Sequence, residues 1–128
     1  MAADSTEELR WTRARFVDRY FAALHSGKGW QDSFAEDVRF VSHTVPPREL
    51  QGREAFVVGT GRFYDSIRSF EVRQVLVNGD LAVALTSYQI QPPGNAAPFQ
   101  SDVAEVFRIR GDRVIGFEIY FDSSPFPK

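Results

Sequence analysis

Glu105 is the residue best placed by its surroundings to do chemistry in this chain of 128 residues. It stands in the run Asp102–Ile109, which reads as a strand. Period-two alternation puts it on one face with Val103, Phe107 and Ile109. An ionised carboxylate among such neighbours is costly unless it is paired or protonated. Desolvation favours the neutral acid, which can give a proton or a hydrogen bond to a ligand oxygen. The other reading of Glu105 is a buried structural acid bonded to an Arg or a Tyr, and Arg13 of the first helical segment is one such Arg. Tyr20 lies on the apolar stripe of that segment. It is either a core tyrosine with its hydroxyl at a pocket edge or, with Glu105, half of a donor dyad. His43 ends a strand-like run and is a third candidate catalytic residue. Alternation turns it away from Ser42, and a bulge before Pro46-Pro47 would turn it inward. His25 sits at the C-terminal end of the first helix, where a cation is favoured, and reads as structural.

Composition narrows the chemistry. With no Cys, a disulfide framework, a thiolate metal site and a cysteine nucleophile are excluded. Two His cannot make a three-His metal site, and no Gly-rich phosphate cradle is present. Glu36 and Asp37 are adjacent and diverge, so they do not form a working carboxylate pair. No cofactor and no metal is expected. A formal net charge of −2 offers no basic field for nucleic acid or anionic membrane. The polar opening segment lacks the apolar core of a secretory signal, and no apolar run is long enough to span a bilayer, so a cytoplasmic location is expected.

The elements that must position these residues follow from periodicity. Ser5 or Thr6, with Glu8, can cap a helix carrying Leu9, Phe16, Val17, Tyr20, Phe21 and Leu24 on one stripe, ended by Gly27 and Gly29. Trp30 to Ala35 reads as a short second helix, Val38 to His43 as a strand. Arg53 to Ile67 is helical, with Phe56, Thr60, Phe63 and Ile67 on one side; Gly59 and Gly61 there weaken it or permit close packing. Phe70–Val77 and Leu81–Ile90 form a hairpin about Asn78-Gly79-Asp80, and Asp102–Ile109 and Val114–Asp122 form another about Gly111-Asp112. Helices followed by antiparallel strands give an α+β fold. Leu81–Leu85, Ala104 and Val106 make the central strands apolar on both faces. The helices cover one face, and a second copy of the chain is the expected cover for the other, with Ala82, Ala84, Ala104 and Val106 near the contact.

The pieces RYFAALHSG, SFAEDVRF, LQGREAF, NGDLAVA and DVAEVFRIRGDRVIGFEIYFD, in this order, resemble the nuclear transport factor 2-like superfamily. Within it the chain is similar to the SnoaL-like group, near ketosteroid isomerases and limonene epoxide hydrolases. The resemblance implies one SnoaL-like domain over residues 1–128, with tails at 1–5 and 123–128. It implies a cone: a curved, mostly antiparallel sheet wrapped round helices, enclosing an apolar pocket, often dimeric through the sheet. Similarity to ketosteroid isomerases puts an oxyanion-hole tyrosine at Tyr20 and the oxyanion-hole acid at Glu105. That family's base carboxylate falls at Ser42, which disfavours its steroid reaction. The Arg and two Asp of the epoxide hydrolases fall at Ser87, Gln89 and Ile119, so that water-activating machinery is absent. The same match turns Phe117 and Ile119 into the pocket, beside Phe40, Ser42, Tyr64, Leu85, Ser87 and Gln89 as ligand contacts. The implied activity is binding of a small hydrophobic molecule with acid–base rearrangement in a natural-product pathway, by cyclisation, isomerisation or epoxide opening. The alternative is a non-catalytic ligand-binding or assembly domain.

Overall fold

A computed structural model describes residues 2–44 and 46–126, with side chains from Thr12 onward. Helix α1 runs Ala2–Ser26, a 3-10 turn Trp30–Ser33, strands β1 Phe34–His43 and β2 Arg48–Gln51, and helix α2 Arg53–Asp65. Strands β3 Ile67–Asn78, β4 Leu81–Ile90, β5 Phe99–Arg110 and β6 Arg113–Phe121 complete the chain. The strands form one sheet in the order β2-β1-β6-β5-β4-β3, antiparallel except for the parallel pair β1–β6. This is the α+β cone expected from the resemblance.

The stripe on α1 does what its period predicts. Phe16, Val17, Tyr20 and Phe21 are buried, and the helix lies against β3 and β4. Leu9 falls outside the described side chains. Ser5 and Thr6 do not cap α1, because the helix already begins at Ala2. The segment after Gly29, in the left-handed conformation at φ 79°, is one 3-10 turn rather than a helix reaching Ala35. Phe34 is already in β1, where it packs at right angles to Tyr20 (5.6 Å) and tilted against Phe56 (4.7 Å) and Phe117 (5.3 Å).

Two bulges let the sheet bury more than strict alternation allows. Val72 pairs with Thr86 and Gln74 with Leu85, so Arg73 is extra; Phe70 and Val72 before it and Val75 and Val77 after it all face the helices. Ile109 pairs with Val114 and Arg108 with Gly116, so Ile115 is extra, and both Val114 and Phe117 point inward. On β4 the inward residues are Ala82, Ala84, Thr86, Tyr88 and Ile90. Ala82 and Ala84 therefore belong to the helix-covered face, not to the outer face assigned to them from the sequence. Small side chains are needed there because α1 crosses with Tyr20 and Phe21. The outer face carries Leu76, Val83 and Val106, which occupy one cross-strand row.

Strand β2 escapes sequence detection because it is short and largely exposed. It brings Leu50 and Arg48 against α2 at Gly59, where a Cβ would stand 2.5 Å from Leu50 Cδ1 and 3.1 Å from Arg48 Nη2. Gly61 has open space instead. Gly61→Ala is expected to raise stability by about 0.5–1 kcal/mol through helix propensity, while Gly59→Ala shows no such gain. Urea midpoints of the two variants check this; equal gains would show that β2 does not press on α2.

Candidate functional site

A cavity of about 280 Å³ lies between α2, β1–β2, β6 and the segment Ser123–Phe126. Its walls are mainly aromatic and aliphatic, and Glu105 is the one carboxyl that borders it among the described residues. Glu105 is 2% exposed. Its Oε2 accepts a hydrogen bond from Tyr88 Oη at 2.8 Å, and its Oε1 has no partner. Burial is the largest influence and pushes the carboxyl up to about 7; the Thr86 and Tyr88 hydroxyls oppose it, and of these Tyr88 alone makes a well-formed bond. A carboxyl poised there can both give and take a proton near neutral pH.

Two further tyrosines extend the arrangement. Tyr64 borders the cavity, stacked on Trp30 with ring centroids 3.9 Å apart. Its hydroxyl lies 2.8 Å from that of Tyr20, which is wholly buried beneath it. Burial raises all three phenols, Tyr20, Tyr64 and Tyr88, so they remain donors. With Tyr20 donating to Tyr64, the Tyr64 proton is free for a ligand oxygen.

Of the residues singled out from the sequence, Glu105, Phe40, Ser42, Tyr64, Phe117 and Ile119 border this cavity. Others do not. Tyr20 supports Tyr64 from the core, and the partner of Glu105 is Tyr88 rather than Tyr20. His43 stays on the outer face: no bulge turns it, its ring stacks on Tyr120 at 4.1 Å, and Nε2 lies 3.0 Å from Glu118 Oε1. Leu85, Ser87 and Gln89 are also on the outer face. Ala84 pairs with Glu105, which fixes even-numbered β4 residues inward and odd-numbered ones outward. There Ser87 donates to Asp102 Oδ1 at 2.7 Å and Gln89 donates to Gln100. Arg13 is not a counter-charge to Glu105 in any ion pair among the described residues.

Sequence reasoning missed Arg48, Phe121 and Phe126 as cavity residues. Phe121 follows from carrying the β6 alternation one step past Ile119. Phe126, placed in a tail, packs on Phe99 at 4.9 Å and Phe121 at 5.3 Å, and only the fold brings these together.

No group of three or more His, Cys, Asp or Glu among the described residues is placed to hold a metal ion. Among the described residues, no helix is long and apolar enough to cross a membrane.

Comparison with known proteins bears on this geometry. The SnoaL-like domain model matches residues 17–117. Similar solved structures include a protein from Jannaschia sp. CCS1 named as a SnoaL-like polyketide cyclase, at 16% identity, TM-score 0.76, covering 88% of this chain and 87% of that one. An NTF2-like protein from Burkholderia pseudomallei K96243 aligns at 18% identity, TM-score 0.74, covering 87% and 91%. A protein of ketosteroid isomerase-like fold from Catenulispora acidiphila DSM 44928, in complex with trimethylamine, aligns at 22% identity, TM-score 0.70, covering 86% and 87%. None of the curated proteins matches. At these identities the structures share the fold alone.

The raised carboxyl has a consequence for stability. The folded value of about 7 exceeds the ordinary 4.5, so the folded state holds a proton that the unfolded state releases. This stabilisation is complete below pH 4.5 and is lost as pH rises to about 7. Its full size is on the order of 3 kcal/mol. Glu105→Gln is expected to flatten that decline and to exceed the wild-type chain in stability at pH 8. Urea unfolding of both proteins between pH 5 and 8 checks it; parallel curves would show that Glu105 stays ionised in the fold.

Proposed function

The chain belongs to the SnoaL-like domain family, and from that premise we propose that it binds a small, largely apolar molecule beside Glu105 and rearranges it by acid–base chemistry. The observation that carries this reading is the cavity-bordering carboxyl with one oxygen bonded to Tyr88 and the other without a partner. Glu105 transfers the proton, Tyr88 holds its carboxyl in place, and Tyr64 donates to the ligand oxygen on which charge develops. Cyclisation or isomerisation of a polyketide-like or terpenoid compound in a secondary pathway fits this equipment, as does opening of an epoxide by direct protonation. The similarity to the Jannaschia polyketide cyclase supports the first of these. A cytoplasmic setting, with no cofactor, completes the proposal.

A non-catalytic binding domain needs no titrating group in its cavity, whereas Glu105 borders this one. The test is a calorimetric and turnover screen of neutral enones, β-diketones and epoxides of one to three rings. Glu105→Gln is expected to keep binding within about threefold and to lower turnover at least about a hundredfold, within the range for loss of a general acid–base group. Binding without turnover by either protein would overturn the catalytic reading.

We further propose that the outer sheet face meets a second copy of the chain. Leu76, 51% exposed, lies in one row with Val83 and Val106 on that face, and Tyr120, 46% exposed, pairs there with Ala104. Light scattering is expected to give twice the 14.5 kDa chain mass, falling to one chain mass in Val83→Arg. A monomer at millimolar concentration would remove the dimer.

A further inference from the structure

A single row of paired residues crosses the sheet beneath the cavity. Glu105 on β5 pairs with Ile119 on β6, Ile119 with Ser42 on β1, and Ser42 with Arg48 on β2. Paired residues point to the same side of a sheet, and all four border the cavity. The row therefore has an acid at one end, an apolar floor at Ile119, and a hydroxyl beside a guanidinium at the other.

Arg48 is the one cationic side chain bordering the cavity among the described residues. Its Nη1 donates to the Gly59 carbonyl at 3.2 Å, which sets the guanidinium against α2. It forms no ion pair with a carboxylate among the described residues. A guanidinium carries five N–H donors, so most remain for a ligand. The Ser42 hydroxyl, 8% exposed, has no hydrogen bond among the described residues either. The absence of a Cβ at Gly59 leaves room for this placement, since a methyl there would stand 3.1 Å from Arg48 Nη2.

Resting on the proposed ligand-binding role of this cavity, we propose that Arg48 and Ser42 form a carboxylate anchor. The ligand is then a flat, one- or two-ring monocarboxylate, its ring over Ile119 and an oxygen function toward Glu105. The geometry sets its length. Three strand spacings separate the Glu105 and Arg48 backbones, ~14 Å at ~4.8 Å each, and the two side chains shorten the gap from both ends. One guanidinium and one hydroxyl match the two oxygens and single charge of a carboxylate. A phosphate would bring a second charge into walls that offer nothing to neutralise it.

The probe pair is 6-hydroxy-2-naphthoate and its methyl ester, which share shape and differ in charge. Arg48 is exposed, so its contact is screened by water. Titration calorimetry at pH 7 and low salt is expected to show the wild-type chain binding the acid about threefold to fivefold more tightly than the ester, the size of one exposed charge-assisted contact. Arg48→Gln is expected to erase that preference and leave ester affinity within about twofold, and Arg48→Lys to restore part of it, because an ammonium keeps the charge and loses the bidentate fork. Raising salt should narrow the preference in the wild-type chain. Equal binding of acid and ester by the wild-type chain, or an acid preference that survives in Arg48→Gln, would overturn the anchor while ester binding upheld the cavity. Failure of both probes to bind, with the Glu105 carboxyl resonance unmoved by either, would overturn the ligand-binding reading and the anchor with it.

Discussion

The structure depends on keeping one carboxyl out of water. Glu105 sits on the inward sheet face at the cavity wall, among mainly apolar neighbours. Phe107 and Val103 flank it on its own strand, Ile119 lies beside it across the ladder, and the Phe63 and Phe70 rings lie 5.3 and 5.9 Å from the Tyr88 ring whose hydroxyl holds it. Such a group is tolerated only because it is bonded once and holds a proton over much of the neutral range. The same apolar shell that costs stability above neutral pH sets the carboxyl near 7, where proton transfer in either direction is feasible. The site and its energetic burden are one feature.

The rest of the architecture serves that placement. Bulges at Arg73 and Ile115 change the phase of β3 and β6, so that Phe70, Val72, Val75 and Val77 on one strand and Val114 and Phe117 on the other all reach the interior. The aromatic side chains then lock at edge and tilted angles, as Phe34 does against Tyr20, Phe56 and Phe117. Rings leave a firmer cavity than flexible aliphatics would, since each has few rotamers and meets neighbours on several sides. Tyr64 shows how core becomes site: its ring stacks on Trp30, and its hydroxyl is tied to Tyr20 below it.

Much of this was legible in the sequence, for physical reasons that differ strand by strand. On β5 a lone Glu between Val103 and Phe107 marks the inward face, because polar Asp102 and Arg108 take the other. On β6, Phe117 and Ile119 alternate with Glu118 and Tyr120, which fixes the phase equally well. Strand β4 offers no such contrast. Leu81 to Leu85 is apolar on both faces, so alternation alone does not fix the phase, and Leu85, Ser87 and Gln89 lie outward rather than inward. Side-chain size was the available signal: alanines at 82 and 84 make room for α1, while larger residues stand outside. Arg48 was not legible, because four residues of β2 carry too little pattern to announce a strand. Its place beside Ser42 comes from pairing between strands, which one chain's periodicity does not encode.

The lone carboxyl also limits what chemistry the cavity can perform. In the related steroid isomerases, by the resemblance, a base carboxylate occupies the place of Ser42, and one acid can accept a proton while another holds the oxygen. Here Ser42 has no negative charge to offer, and Tyr20, Tyr64 and Tyr88 are raised too far to act as bases. In the proposed reaction, proton traffic therefore has to begin and end on Glu105. A group that gives a proton at one atom must recover one from another atom of the same ligand, or from water, before it can act again. Reactions that move a hydrogen within a molecule, or that close a ring with proton donation to oxygen and loss from carbon, meet that condition without a second titrating residue. Hydrolysis would need a water activated by a base while the same carboxyl protonated the leaving oxygen, two roles for one group in one step. The arrangement around Glu105 accordingly favours rearrangement over hydrolysis on proton balance alone.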